Sequence, residues 1–320
     1  MVLAMGRQIT NDFSWSKSRH DKFVECQRAY YLHYYGSWGG WDERADPATR
    51  QLYILKKLNS RFTWAGGVTH DAIKQALLAI RFGREVDPAA VIDRVHRLMR
   101  ADFRHSMGKG YWREKLRKEF AGLVEHEYAM PVTGDEWKQN WHTVKSALEW
   151  FFASRWPALA KGLEKDQWLE VDEGFEHSAF QLDGTKIFAI PDFAYRERDG
   201  GAVVVDWKTG RAKEGYDDQV LGYALYLSLR YGIPVDRIRA QLVYLNDGVE
   251  TEVHVDETAI AGFRERLAES VAKMRSLLAD PAANVAQPEV FFPMTEKAET
   301  CARCVFRRVC GKDAPAAKVA

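Results

Sequence analysis

The chain has 320 residues, which is long enough for a sizeable core and for one or two domains. Its 46% hydrophobic and 28% charged residues are typical of a globular protein, and no apolar run is long enough to span a membrane. The net charge of +1 excludes a generally basic nucleic-acid coat, so any nucleic-acid surface must be local. The start, Met1 to Arg7, lacks the features of a signal peptide, and we expect a cytoplasmic protein.

The N-terminal segment, residues 1–47, contains one helical pattern after a loose lead-in. Ser16 or Ser18 is a candidate N-cap for this helix. Four residues follow at helical spacing, namely Phe23, Cys26, Tyr30 and Tyr34.

Aromatic residues are interleaved with basic residues around Cys26, a composition that suits stacking on the bases of single-stranded nucleic acid. The same residues equally suit the core of a helical lobe. They are Trp15, Tyr30, Tyr31, Tyr34 and Tyr35.

Residues 48–165 have the apolar periodicity of helices. The predicted helices span 48–59, 67–82, 88–107, 111–128 and 134–160. The pair Gly66-Gly67 stands at the predicted start of the second helix, just before His70, and glycines there allow a close approach of the chain. A neutral histidine ring is a common metal ligand, although a lone histidine is more often packed or on the surface.

Strand patterns begin near Trp168 and continue through 168–176 and 180–190, the second around a turn at Asp183-Gly184. Glu170 is a candidate for a further acid of the site, although a strand glutamate is more often solvated.

A β-hairpin is predicted from Ile187–Arg196 and Ala202–Lys208, joined by a turn at 198–201. Because strand side chains alternate, Asp206 and Lys208 point to one face and Trp207 to the other. The partner strand brings Asp192 near Asp206, unless a bulge shifts the register by one residue. Buried like charges are costly unless a cation neutralises them, and oxygen ligands favour Mg²⁺ or Mn²⁺.

The residues after the hairpin continue the alternation of helices and strands. An amphipathic helix over 217–230 carries Gln219 and Tyr223 on one face, at i and i+4. Strands at 238–245 and 250–255, a helix capped by Asp256 and a linker at 281–293 follow.

The four cysteines are a late group, Cys301, Cys304 and Cys310, and the early Cys26. Such close spacing indicates metal binding rather than disulfides, and four thiolates suit either zinc or an iron–sulfur cluster. The surrounding C-terminal end is locally basic, with Arg303, Arg307, Arg308, Lys312 and Lys318 against Asp313.

Pro191-Asp192, Asp206-Trp207-Lys208 and the Q-x3-Y pair Gln219 and Tyr223 together resemble the PD-(D/E)XK nuclease superfamily, and in particular its RecB-like branch. The segment S-x-S-x4-F-x2-C-x3-Y-Y from Ser16 and the segment G-x3-H from Gly66 resemble the same branch, which includes CRISPR-adaptation exonucleases. Gln27 departs from the proline usual at that position. Much of 80–165 matches no motif of the branch.

The resemblance implies an α/β fold, with a restriction-endonuclease-like mixed β-sheet core flanked by helices, a large helical insertion and an iron–sulfur-clipped lobe of the two termini. The implied divisions are 1–47, 48–165, a nuclease core at 166–280 and a cysteine segment at 281–320.

The resemblance also implies residue roles. Mg²⁺ or Mn²⁺ would be held by Asp192, Asp206, His70 and the main-chain carbonyl of Trp207. Lys208 would position or activate the attacking water and stabilise the developing negative charge, and Gln219 and Tyr223 would orient Lys208 or the nearby phosphate. A [4Fe–4S] cluster would take Cys26, Cys301, Cys304 and Cys310.

We therefore expect a metal-dependent DNA nuclease, an exonuclease on single strands or DNA ends. The alternatives are a non-catalytic DNA-binding module of the same fold and a nuclease clipped by zinc. The helical insertion is a candidate surface for a protein partner, and no membrane association is expected.

Overall fold

The computed structural model describes residues 10–116, 120–172, 179–211 and 216–312. The end of the predicted strand at 173–176, the basic Lys318 and the acidic Asp313 lie outside these residues. The helices are α1 Lys17–Glu25, α2 Gln27–Tyr31, α3 Pro47–Leu55, α4 Arg61–Arg81, α5 Pro88–Met107, α6 Val124–Glu127, α7 Gly134–Ala153, α8 Arg155–Lys161, α9 Tyr216–Tyr231, α10 Glu257–Arg275 and α11 Ala298–Arg303. The strands are β1 Ser14–Trp15, β2 Leu58–Asn59, β3 Gly122–Leu123, β4 Trp168–Glu170, β5 Ala179–Leu182, β6 Thr185–Phe188, β7 Phe193–Arg196, β8 Ala202–Lys208, β9 Ile238–Tyr244, β10 Val249–Val253, β11 Leu278–Asp280 and β12 Val285–Ala286.

A five-stranded mixed sheet forms the centre of the molecule, in the order β10-β9-β8-β7-β4. Strands β8 and β9 are parallel, and the other neighbours are antiparallel. Strand β8 is buried on both faces, since Val204 packs into one apolar core and Val205 into the other. The sheet therefore lies between two layers of helices, with α9 and α10 on one face and α4, α7 and α8 on the other. This arrangement confirms the predicted mixed α/β fold class.

A second sheet, in the order β1-β6-β5, joins the N-terminal strand to the predicted hairpin around Asp183 and Gly184. Both turn residues have positive φ, 47° and 72°, as a tight hairpin turn requires. The predicted strand Ile187–Arg196 was wrong in its extent. The chain leaves the small sheet after β6, passes Pro191 and enters the central sheet as β7, since proline cannot donate to a strand ladder.

Helix α5 begins and ends as predicted, with Asp87 as its N-cap and Pro88 at its first position. The predicted helix 134–160 is two helices, because the chain breaks at Ser154, whose hydroxyl caps α8. The predicted helix 111–128 was wrong. Among the described residues, 110–112 form a single 3-10 turn, Gly122 of β3 packs under the Tyr111 ring, and only the short α6 is α-helical.

Two further helix predictions need correction at residues of functional interest. Helix α4 begins at Arg61, capped by Ser60, so His70 lies well inside the helix rather than at its start. The helix predicted across Cys26 is interrupted there. Cys26 is extended, ends α1, and begins α2 with its sulfur accepting the N–H of Ala29.

Candidate active site at the carboxyl end of strand β8

Strand β8 ends in the two residues that form the centre of the site. Asp206 is 1% exposed, and its Oδ2 lies 2.5 Å from the ammonium of Lys208. Both side chains are on the α9 face of the sheet, whereas Trp207 points into the opposite core and contacts Trp156. The alternation expected from the sequence is therefore present, and it places an ion pair at the carboxyl end of the middle strand of the sheet.

Asp192 lies beside the end of β8, on the segment that leads into β7. The register pairs Phe193 with Val205 without a bulge, so Asp192 comes next to Asp206. Its Oδ2 accepts the backbone N–H of Trp207 at 2.8 Å. Its Oδ1 lies 3.1 Å from Nδ1 of His70.

Helix α4 brings His70 to the site from the other helical layer. Gly66, one turn earlier, faces the segment that follows Lys208. A Cβ placed on it would lie 3.3 Å from Oγ1 of Thr209, so the glycine lets the helix approach this closely.

Helix α9 contributes two side chains that link Lys208 to Asp206. Lys208 donates to Oε1 of Gln219 at 2.8 Å, and Nε2 of Gln219 donates to the Tyr223 hydroxyl at 2.6 Å. The Tyr223 hydroxyl in turn faces Oδ1 of Asp206 at 3.4 Å. The i, i+4 spacing of Gln219 and Tyr223 thus forms one continuous relay beside the ion pair.

The electrostatics of the site are those of buried acids close together. Burial raises the pKa of Asp206 above its usual range, the Asp192 charge adds to the rise, and Lys208 opposes it. For His70 burial lowers the pKa, but the Asp192 carboxylate outweighs this effect and raises it to about 9. Burial and the two carboxylates keep the pKa of Tyr223 well above its ordinary value, so its hydroxyl stays protonated.

The donor types fit a hard divalent cation, since two carboxylates and an imidazole meet here. A cation would also relieve the repulsion that raises the Asp206 pKa. Within the described residues, however, no three His, Cys, Asp or Glu side chains are grouped as a ready-made metal site. Here Asp192 is instead held by His70 and by the Trp207 N–H, and Asp206 by Lys208.

A sequence model of the PD-(D/E)XK nuclease superfamily matches residues 14–311, nearly the whole chain. The chain belongs to the PD-(D/E)XK nuclease superfamily. Members of this superfamily are phosphodiesterase nucleases that generally use Mg²⁺ or Mn²⁺, and DNA is the substrate that membership implies. No curated protein matches the chain.

The four cysteines lie around one small cavity of about 20 Å³, between the α1–α2 junction and the C-terminal segment. Burial raises the pKa of Cys304 to about 11, and the nearby sulfurs of Cys310 and Cys26 add to the rise. Cys26 and Cys301 are 275 positions apart in the sequence, but the fold places both at the same cavity. In the described part of the chain, no three of these cysteines are close enough together to form a ready-made site for one metal ion.

Two weaker expectations change with the structure. Glu170 is buried and accepts hydrogen bonds from the hydroxyls of Tyr226 and Tyr231, so it is not solvated. Trp15 and Tyr30 are core residues, 4% and 0% exposed, and are therefore unsuited to stacking on bases.

A polar groove of about 340 Å³ next to Thr209 was not predicted. It lies between α7, the segment after β8 and the turn after β9, where Asn246 donates to the Thr209 carbonyl at 3.0 Å. Helix α7 lines it with polar residues at i, i+3, i+4 and i+7, a spacing readable in the sequence. They are Gln139, His142, Thr143 and Ser146.

None of the helices in the described ranges combines the length and apolar character needed to cross a bilayer.

Proposed function

We propose that this PD-(D/E)XK protein is a Mg²⁺- or Mn²⁺-dependent deoxyribonuclease of the RecB-like type, acting as an exonuclease on single strands or DNA ends. The observation that carries the proposal is the convergence of Asp192, Asp206 and Lys208 at the carboxyl end of β8. Ligand sites of open α/β sheets lie outside the carboxyl ends of their strands.

The proposed metal ligands are Asp192, Asp206, His70 and the carbonyl of Trp207. A divalent ion there would lower the pKa of a bound water and neutralise charge on the scissile phosphate. The repulsion between the two carboxylates supports this assignment, because the Asp206 pKa stays raised although Lys208 opposes the rise, and a bound cation would offset the remainder.

Lys208 is proposed to stabilise the negative charge that develops on the phosphate and to position the attacking water. The structure supports this role because the Lys208 side chain is 11% exposed and its ammonium is held by Asp206 and Gln219. Tyr223 is proposed to hold the Gln219 amide so that its oxygen faces Lys208. Gln219 and Tyr223 are thus positioning residues, since they act on the reaction through Lys208.

A cleavage assay with end-labelled single- and double-stranded DNA tests the proposal. Asp206→Ala and Lys208→Ala are each expected to abolish cleavage in Mg²⁺ or Mn²⁺ while the circular dichroism spectrum is kept. Asp236→Ala, an exposed acid in the described chain, is the control and should cleave normally. Cleavage retained in both site variants would refute the assignment, and tight binding without turnover in the native protein would identify a non-catalytic DNA-binding module.

We also propose that the four cysteines hold a [4Fe–4S] cluster that clips the N-terminal helices to the C-terminal segment. Their shared cavity and all-thiol donor set support it. Protein purified without oxygen should show the broad brown absorbance of such a cluster with close to four iron atoms per chain. A colourless protein with one zinc would establish the zinc alternative, since zinc also takes four thiolates.

The division into the four segments, the cytoplasmic location and a protein partner of the helical insertion stay predictions.

A further inference from the structure

The helical insertion contains a second pocket, of about 230 Å³, between α5 and α7. Its walls are aromatic and its rim is basic. We call it the aromatic pocket and define it by His96, Phe103, Trp137, Trp141, Arg100 and Arg104.

The rings of the aromatic pocket hold one another in place. His96 stacks on Trp141 with ring centroids 4.4 Å apart and planes 24° apart. Phe103 meets Trp137 edge to face at 5.0 Å. All four rings are partly exposed, so flat aromatic surface in a fixed arrangement is open to solvent.

The rim of the pocket belongs to a stripe of four exposed arginines along α5, which are Arg94, Arg97, Arg100 and Arg104. Asp93 pairs with Arg97, and Asp102 is buried, where it accepts a hydrogen bond from Trp64. The other three arginines form no ion pair with an acidic residue among those that the structure describes, so their positive charge is not neutralised there. In a chain of net charge +1 this is a local cationic surface, complementary to a polyanion.

We propose that the aromatic pocket binds an unpaired base of the substrate strand, while Arg100 and Arg104 contact the flanking phosphates. This inference deepens the proposed nuclease function and rests on it. Bases stack on aromatic rings without regard to sequence, and arginine adds both phosphate contact and cation–π attraction. A base in a duplex has both faces covered, so the pocket selects single-stranded DNA.

The position of the pocket suits this role. Helices α5 and α7 both pack against α4, the helix that carries His70. The α7 residues that line the polar groove next to Thr209 lie on the opposite side of the helix from Trp137 and Trp141. Helix α7 thus lines both the aromatic pocket and the polar groove at residues 209–211, the segment that follows Lys208 in the chain.

Fluorescence anisotropy in EDTA tests the proposal without cleavage. The probes are a labelled single strand and an abasic strand of the same length and charge. The native protein should bind the normal strand about tenfold more tightly. Trp141→Ala should lose this preference but keep the affinity for the abasic strand, whereas Phe82→Ala, an exposed aromatic outside the pocket, should change neither value.

The arginines are tested through the salt dependence of binding. Arg104→Ala should weaken binding to both strands and reduce the slope of log Kd against log salt by about 0.7, the value for one phosphate on a single strand. Arg44→Ala, at a side chain that is 94% exposed, is the matched control and should keep the slope. If Trp141→Ala does not fold, the native comparison of normal and abasic strands and the Arg104→Ala slope still decide.

Equal affinity for normal and abasic strands would overturn the inference. So would displacement of both strands by poly-glutamate at equal charge, which would identify a surface for an acidic protein. A protein that binds the normal strand more tightly but never cleaves would refute the nuclease function and leave the base site standing. A protein that cleaves but binds both strands equally would refute the base site and leave the nuclease function standing.

Discussion

Nδ1 of His70 lies 3.1 Å from Oδ1 of Asp192, across the junction between helix α4 and the central sheet. The other oxygen of the same carboxylate accepts the Trp207 N–H from strand β8. Asp192 therefore connects the helical insertion with the strand that carries Asp206 and Lys208. The insertion is thus part of the candidate site, and its position bears directly on the chemistry.

His70→Ala is expected to lower the affinity for Mn²⁺ strongly and to change the stability of the metal-free protein little. If His70 is a ligand, the Mn²⁺ concentration at half-maximal cleavage should rise at least about tenfold. The increase in melting temperature on adding Mn²⁺ should shrink in parallel, because binding to the native state stabilises it. Metal titrations of cleavage and of thermal unfolding measure both effects.

The exposed His254 supplies the control for this prediction, since its side chain is 82% exposed. His254→Ala should leave the metal titration unchanged. An unaltered titration in His70→Ala would remove His70 from the proposed ligand set.

Tyr223→Phe and Gln219→Ala should each lower kcat by about ten- to a hundredfold with little change in KM. Both act by loosening Lys208, which Gln219 and Asp206 hold. Because the residues form one relay, the double variant should lose no more than the worse single variant. Steady-state cleavage rates measure this, and additive losses would show that the two side chains act separately.

Much of the candidate site could be predicted because it is encoded locally. Strand alternation and a tight turn bring Asp192, Asp206 and Lys208 together, and helical spacing sets Gln219 above Tyr223. The link from Gln219 to Lys208 depends on how α9 packs on the sheet, which no local pattern contains.

The start of α4 and the aromatic pocket could not be predicted, for different reasons. The pair Gly66-Gly67 resembled a helix start, but Ser60 caps the helix, and Gly66 instead allows the helix to approach Thr209 closely. The aromatic pocket needs α5 and α7 side by side, and their relation is set by tertiary packing.

Acid should destabilise the protein partly through His33. Its Nδ1 is buried and accepts no hydrogen bond from the described residues. Burial lowers the pKa of His33 to about 2, and the positive side chains facing it add to the effect. These are Lys22, Lys56, Lys57 and Arg19.

His33 is neutral in the folded protein, whereas in the unfolded chain it protonates near pH 6.5. Its full contribution to the free energy of unfolding is therefore present above pH 6.5 and is lost as the pH falls. The loss is about 1.4 kcal/mol per pH unit below that value. Urea unfolding at pH 7.5 and 5.5 measures it. His33→Gln should reduce the difference between the two pH values, whereas His254→Gln should keep it, and an unchanged difference in His33→Gln would contradict the prediction.

Gly66 and Gly67 form a matched pair on helix α4 that tests how closely the helix must approach the site. A Cβ on Gly67 meets no atom within 4 Å, whereas one on Gly66 lies 3.3 Å from Oγ1 of Thr209. Gly67→Ala should therefore raise the free energy of unfolding by about 0.5–1 kcal/mol, the gain in helix propensity. Gly66→Ala should gain less stability, because the methyl group presses on Thr209. It should also cleave several-fold more slowly, because the displaced segment follows directly on Lys208.

Adding Thr209→Ala removes the pressing hydroxyl and should restore cleavage in the Gly66→Ala background. Urea unfolding and cleavage rates on the three variants check this, and equal rates for Gly66→Ala and Gly67→Ala would show that the approach of α4 to Thr209 does not affect the reaction.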